Sequence, residues 1–231
     1  MAKTNPICVA LDTPDLDRAK ALARMLKDHA GYMKVGMEFF YAHGARGYEA
    51  VAAEGLPIFL DLKLHDIPNT VAQALTSLMR LSPRPAIVNV HAQGGSEMMR
   101  VAREAVAGRG KLIAVTILTS LSQQNVWALG YDAVSLDRIV TNLARHAHDC
   151  GLDGVVCSPT DLMRLRKSLP RSFLTVVPGI RPEGVSAHDQ IRIATPRAAM
   201  EAGADILVIG RAITGAADPV AATQNILASL P

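Results

Sequence analysis

Aromatic side chains are scarce: four Phe, four Tyr and one Trp make up 4% of 231 residues. An all-β sandwich leans on aromatic and β-branched residues, so the shortage argues against one. Ala, Val, Leu and Ile supply the apolar volume, which suits helices packed on parallel strands. Charge of one sign is also missing. Net charge is only +3, with no dense Lys/Arg run, so nothing points to nucleic acid. A mild positive balance does suit a small anionic ligand. The three cysteines, Cys8, Cys150 and Cys157, include no C-x-x-C pair. They exclude a disulfide framework and read as reduced thiols in a cytoplasmic protein. The first apolar run meets Asp12 early, so no signal peptide is visible. The long uncharged stretch, 112–131, carries Thr, Ser, Gln and Asn throughout, so no membrane span is expected.

What is present is alternation. Hydrophobic residues make up 49% and charged ones 19%, the balance of a folded globular chain. Apolar β-like runs occur at 6–11, 32–37, 57–62, 86–90, 111–117, 153–157, 173–177 and 205–209. Helical periodicity follows each one: Leu16–Lys27, Ala42–Ala53, Thr70–Leu81, Gly95–Ala107, Leu136–Cys150, Thr160–Leu169, Pro196–Ala202 and Pro219–Leu230. Thr13-Pro14, Ser158-Pro159-Thr160 and Thr195-Pro196 offer a cap or a first-turn proline. Eight such units predict an α/β fold, a (β/α)8 TIM barrel with a closed parallel sheet, formed as one domain over 1–231. The rival is an open doubly wound sheet. Its G-x-G-x-x-G fingerprint is absent after the first run, where Asp12-Thr13-Pro14-Asp15 stands instead.

In such a barrel, chemistry gathers where strands end. The polar closures are Asp12, Lys34, Asp61 with Lys63, Asn89 with His91, Thr116 with Thr119, and Cys157 with Ser158. The richest is FLDLKLHDIPNT, residues 59–70. Alternation puts Asp61 and Lys63 on one face and Leu60, Leu62 and Leu64 on the other. Charged groups are rarely buried unless paired, so Asp61 and Lys63 belong at the barrel mouth. Asp66 falls on the following loop, and Pro68 suits the first turn of the next helix.

A lysine between carboxylates is held protonated, which opposes Schiff-base chemistry and suits a proton donor. Paired carboxylates can also bind Mg²⁺, but here an ammonium already supplies the countercharge. The last two closures, VVPGIRP (176–182) and ILVIGRAIT (206–214), bring Arg181, Gly210 and Arg211. Strands seven and eight of such barrels commonly form a phosphate site, and Arg suits phosphate through bidentate bonds.

With these residues placed, the chain resembles the orotidine 5′-phosphate decarboxylase family along nearly its whole length. VALD (9–12), KVG (34–36), DLKLHDIPNT (61–70), VNVHA (88–92), LTS (118–120), GLDGVVCS (151–158), PGIRP (178–182), Gln190 and VIGR (208–211) follow the family's order. The resemblance implies decarboxylation of orotidine 5′-phosphate to UMP and CO2, the last step of pyrimidine synthesis. It implies Lys63 as proton donor to C6 and Asp61 beside the substrate carboxylate. Asp66 and Thr70 would reach into a partner's site, making a homodimer. Asp12 and Lys34 would hold the ribose, with Lys34 joining the charged network, and Thr119 the pyrimidine. Arg181, Gln190, Gly210 and Arg211 would hold the phosphate, with 183–190 as a lid. The family uses no metal and no organic cofactor.

The blander readings stand beside these. His91 reads as supporting or core histidine rather than as catalyst, since its pKa alone is no warrant. His65 can share the Lys63 face and has no assigned role. His146 and His148 are two apart on a helix and do not form a metal pair. Cys157 reads as a small buried hydrophobe, and Trp127 as packing in a loop around 122–131. Two other functions stay open: a Mg²⁺-dependent phosphosugar decarboxylase or aldolase sharing the D-x-K-x-x-D string, and a nucleotide-binding module without chemistry.

Overall fold

The computed structural model describes residues 5–131, 134–182 and 193–231. Along them run β1 (Ile7–Leu11), α1 (Leu16–Leu26), β2 (Tyr32–Gly36), α2 (Met37–Ala52), β3 (Ile58–Leu64) and α3 (Pro68–Leu78). Next come β4 (Ile87–His91), α4 (Gly95–Val106), β5 (Lys111–Val115), α5 (Gln123–Ala128), α6 (Leu136–Asp149) and β6 (Gly154–Val156). The last are α7 (Leu162–Ser168), β7 (Leu174–Val177), α8 (Pro196–Glu201), β8 (Ile206–Ile209), α9 (Arg211–Thr214) and α10 (Pro219–Ala228). The strands pair in parallel with their sequence neighbours, and β8 closes on β1, giving an eight-stranded barrel.

Two shells of apolar packing follow from strand alternation. Outward residues such as Val9, Leu11, Val35, Leu60 and Val90 pack with the inner faces of the helices in the main core. Inward residues, including Cys8, Ala10, Phe59, Ile113, Val176 and Ile206, fill the lower barrel. Gly154 allows close packing there, because a Cβ would stand 2.4 Å from the Leu174 carbonyl oxygen. Below the strands, Asp153 takes Arg103, Lys111 and the Leu112 N–H, and Arg166 ties the Gly203 and Phe173 carbonyls to Thr175 and Asp205. These bonds brace the floor of the barrel and leave the opposite rim for chemistry.

Several element ends differ from the sequence expectations. The second helix begins at Met37, directly after Gly36, and Gly44 at φ 60° breaks it internally. That break hides its first turns from a periodicity count. The expected helix from Thr160 is a short 3₁₀ turn, Pro159–Asp161, running into α7. The α1 cap is Asp15, whose carboxylate accepts from the Arg18 N–H at 3.0 Å, rather than Thr13. Trp127 lies in a helix, α5, not a loop; Ser122 and Asn125 cap its start reciprocally. Thr195 does cap α8, accepting from the Ala198 N–H at 3.2 Å. Among the described residues, no helix is long and apolar enough to cross a membrane.

Candidate active site

On β1, β2 and β3 the inward row turns from apolar to polar at the rim, and on β8 it ends in a glycine. Above Cys8 and Ala10 comes Asp12; above Tyr32, Lys34; above Phe59, Asp61; above Ile206 and Val208, Gly210. Asp12, Lys34, Asp61 and Gly210 line a cavity of about 280 Å³ at the carboxyl ends of the strands.

Four ionisable groups form a chain across three strands. Lys34 Nζ lies 3.1 Å from Asp12 Oδ1 and 3.3 Å from Asp61 Oδ2, and Lys63 Nζ lies 2.8 Å from Asp61 Oδ1. Burial opposes the charged forms of Asp61 and Lys34, but their neighbours outweigh it. The Lys34 and Lys63 ammoniums, helped by hydrogen bonds from Lys63 and Asn89, hold Asp61 below the ordinary carboxylate value. Asp61 and Asp12 in turn hold Lys34 above the ordinary lysine value. Removing one member of such a buried pair leaves an uncompensated charge, a loss of about 3–5 kcal/mol.

Space around the cluster is tight. A Cβ at Gly36 would stand 3.1 Å from Lys34 Nζ, and one at Gly210 3.4 Å from Asp12 Oδ2. Thr119, Arg181 and Arg211 line the same cavity. The Arg181 guanidinium donates to the Ile180 carbonyl at 2.9 Å, and Thr119 and Arg181 are both buried. Gln190 and the expected lid lie outside the described residues. A larger hollow, about 470 Å³, opens between α8 and α10, but its lining carries Arg197 as the sole charged group among the described residues. The rim cavity, by contrast, is lined by Asp12, Lys34, Asp61, Lys63, Arg181 and Arg211.

The Asp12 and Asp61 carboxylates are each engaged by an ammonium, and among the described residues no three His, Cys, Asp or Glu side chains converge as metal ligands. Cys8 and Cys157 are fully buried, and burial pushes the Cys8 thiol up, which suits packing rather than nucleophilic attack.

Comparison with known proteins decides the family. The model described as Orotidine 5'-phosphate decarboxylase / HUMPS family matches residues 5–226. The chain belongs to that family. "Orotidine 5'-phosphate decarboxylase" of Novosphingobium aromaticivorans is 50% identical over 227 residues, 98% of this chain and 100% of that one. The protein of the same name from Paramagnetospirillum magneticum is 46% identical, covering 98% of each chain. The crystal structure of orotidine 5′-phosphate decarboxylase from Lactobacillus acidophilus, 37% identical, matches with a TM-score of 0.85 over 97% of this chain and 98% of that one.

On this family member, Asp66 and Thr70 stand apart from the rim cavity. With Met37, Tyr41 and His65 they line a separate recess of about 320 Å³, which Lys63 also borders. Asp66 is exposed and accepts from the Ile67 N–H at 2.7 Å. His65 does not share the cavity face with Lys63: its ring stacks on His91 with centroids 5.3 Å apart. The reason is that Lys63 has φ 52°, a left-handed backbone that ends the simple alternation. His91 Nδ1 is buried without a hydrogen-bond partner among the described residues. Burial, with His65 and Lys63 nearby, pulls the ring down to about 4, so it is neutral at pH 7.

One side chain at the cluster carried no assigned role from sequence. Asn89 donates from Nδ2 to Asp61 Oδ1 at 2.7 Å and accepts at Oδ1 from the Lys63 N–H at 2.8 Å. Its inward polar position near the end of β4 was the available signal.

Proposed function

We propose that this chain, as one barrel unit over 1–231, decarboxylates orotidine 5′-phosphate to UMP and CO2 without a metal or organic cofactor. The observation that carries the reading is the ordered Asp12–Lys34–Asp61–Lys63 chain in a cavity that Arg181 and Arg211 also line. Loss of CO2 from C6 leaves an electron pair with no conjugated carbonyl to accept it. A preorganised ammonium answers that charge. Lys63 then delivers the proton to C6, and solvent returns one to the lysine. Asp61, kept ionised by its lysines, stands beside the departing carboxylate and holds Lys63 in place. Asp12 and Lys34 bind the ribose and Thr119 the pyrimidine.

Arg181, Gly210, Arg211 and Gln190 hold the phosphate, whose remote binding energy helps close the site. A homodimer with shared sites accounts for Asp66 and Thr70, which face away from their own chain's cavity. Met37, Tyr41 and Ile67 expose apolar surface around them, as a partner contact would require. The free, buried cysteines suit the cytoplasm. The test is Lys63→Ala. Turnover should vanish while UMP still binds; turnover at the wild-type rate would refute the proton-donor role.

A further inference from the structure

The β3–β4 ladder slips beside the charged cluster. Leu60 pairs with Val88, but Leu64 pairs with Val90, so four residues of β3 pass against two of β4. Lys63 lies in this bulge at φ 52°. A non-glycine residue is strained there, and such conformations persist where surrounding bonds hold them. The bond that meets the bulge comes from Asn89, which sits inward between the two paired residues of β4 and is 1% exposed.

Its carboxamide can be oriented one way only. The Lys63 N–H can only donate, so it needs the carbonyl oxygen of Asn89, at 2.8 Å. An ionised Asp61 can only accept, so it takes the amide nitrogen, at 2.7 Å. The same Asp61 oxygen receives Lys63 Nζ at 2.8 Å. One carboxamide thus grips the backbone of Lys63 and the carboxylate that holds its ammonium.

We infer that Asn89 is a positioning residue, which fixes Lys63 Nζ by holding the lysine's bulged backbone and its Asp61 partner together. The inference rests on the decarboxylase reading for its kinetic consequence but not for its geometric one. Asn89→Leu keeps the shape and removes both bonds. Asn89→Asp keeps an acceptor for Lys63 and sets a second carboxylate against Asp61, where two acids that close share a proton.

In the full-length protein, Asn89→Leu should lower kcat by about 100-fold, the order expected for a misplacement near 1 Å. KM for orotidine 5′-phosphate and affinity for UMP should stay near wild type. Asn89→Asp should regain activity as pH falls and the added carboxyl takes up a proton, giving an acid-shifted profile that the wild type lacks. A crystal structure of Asn89→Leu should show Lys63 out of the left-handed region. An unmoved Lys63 would overturn the inference whatever the substrate. So would a wild-type kcat in Asn89→Leu, or losses in KM and UMP affinity that match the loss in kcat. If Asn89→Leu does not fold, the Asn89→Asp profile decides: one parallel to the wild type overturns the inference. A wild-type protein inert on orotidine 5′-phosphate would sink the decarboxylase reading instead, leaving the geometric test standing.

Discussion

Lys63 Nζ reaches 2.8 Å from Asp61 Oδ1 although the lysine's own backbone is left-handed, at φ 52°. A flat strand would also set the two residues on one face. The bulge adds something a flat strand lacks: it ends the strand's alternation, so His65 faces the outer recess and leaves the cavity to Lys63.

His91, behind that bulge, makes acid stability testable. In the fold its ring takes a proton only near pH 4, whereas the unfolded chain takes one near the ordinary 6.5. The folded value is depressed, so the unfolded state binds more protons between them. Stability should be full above pH 6.5 and decline as pH falls toward 4. His91→Gln should flatten this limb when Tm is followed from pH 7 downward. A wild-type-minus-variant difference that stays constant with pH would contradict it.

The barrel was readable because each βα unit repeats a short apolar run and a longer periodic one. All eight of those runs meet their strands within about two residues, on the scale where boundaries are ordinarily uncertain. β5 is shorter than its run, ending at Val115 rather than 117. The gathering of Asp12, Lys34, Asp61 and Lys63 was also readable, since alternation plus barrel closure sends strand-end residues to one rim. The bulge at Lys63 was not, because a register slip depends on pairing with β4, a segment distant in sequence. Asn89 escaped for the same reason: its two bonds reach 26 and 28 residues along the chain. The α5 helix escaped because six residues rich in Gln and Asn carry little periodicity.

The phosphate assignment separates from the rest by ligand choice. A charge-assisted hydrogen bond is worth about 1.5–3 kcal/mol, so Arg211→Ala should weaken UMP binding about 10- to 100-fold. Uridine, which lacks the phosphate, should bind wild type and variant alike in calorimetry. Equal losses for both ligands would place Arg211 elsewhere in function.

Sharing of sites between subunits has a complementation test. Lys63→Ala and Asp66→Ala homodimers should each be inactive. In a hybrid, one site carries both defects and the other carries neither. Random mixing of equal amounts, after dissociation and reassociation, should restore about a quarter of wild-type activity, as two-fold symmetry dictates. No recovery, with hybrids demonstrated by mass, would mean that Asp66 serves its own chain's site.

The most direct measurement follows the absorbance of orotidine 5′-phosphate with wild-type protein treated with EDTA. Metal-free proton donation by Lys63 predicts loss of substrate at the untreated rate, with UMP as product. A rate that collapses on chelation and returns with Mg²⁺ would contradict it and favour metal-dependent phosphosugar chemistry on the same barrel.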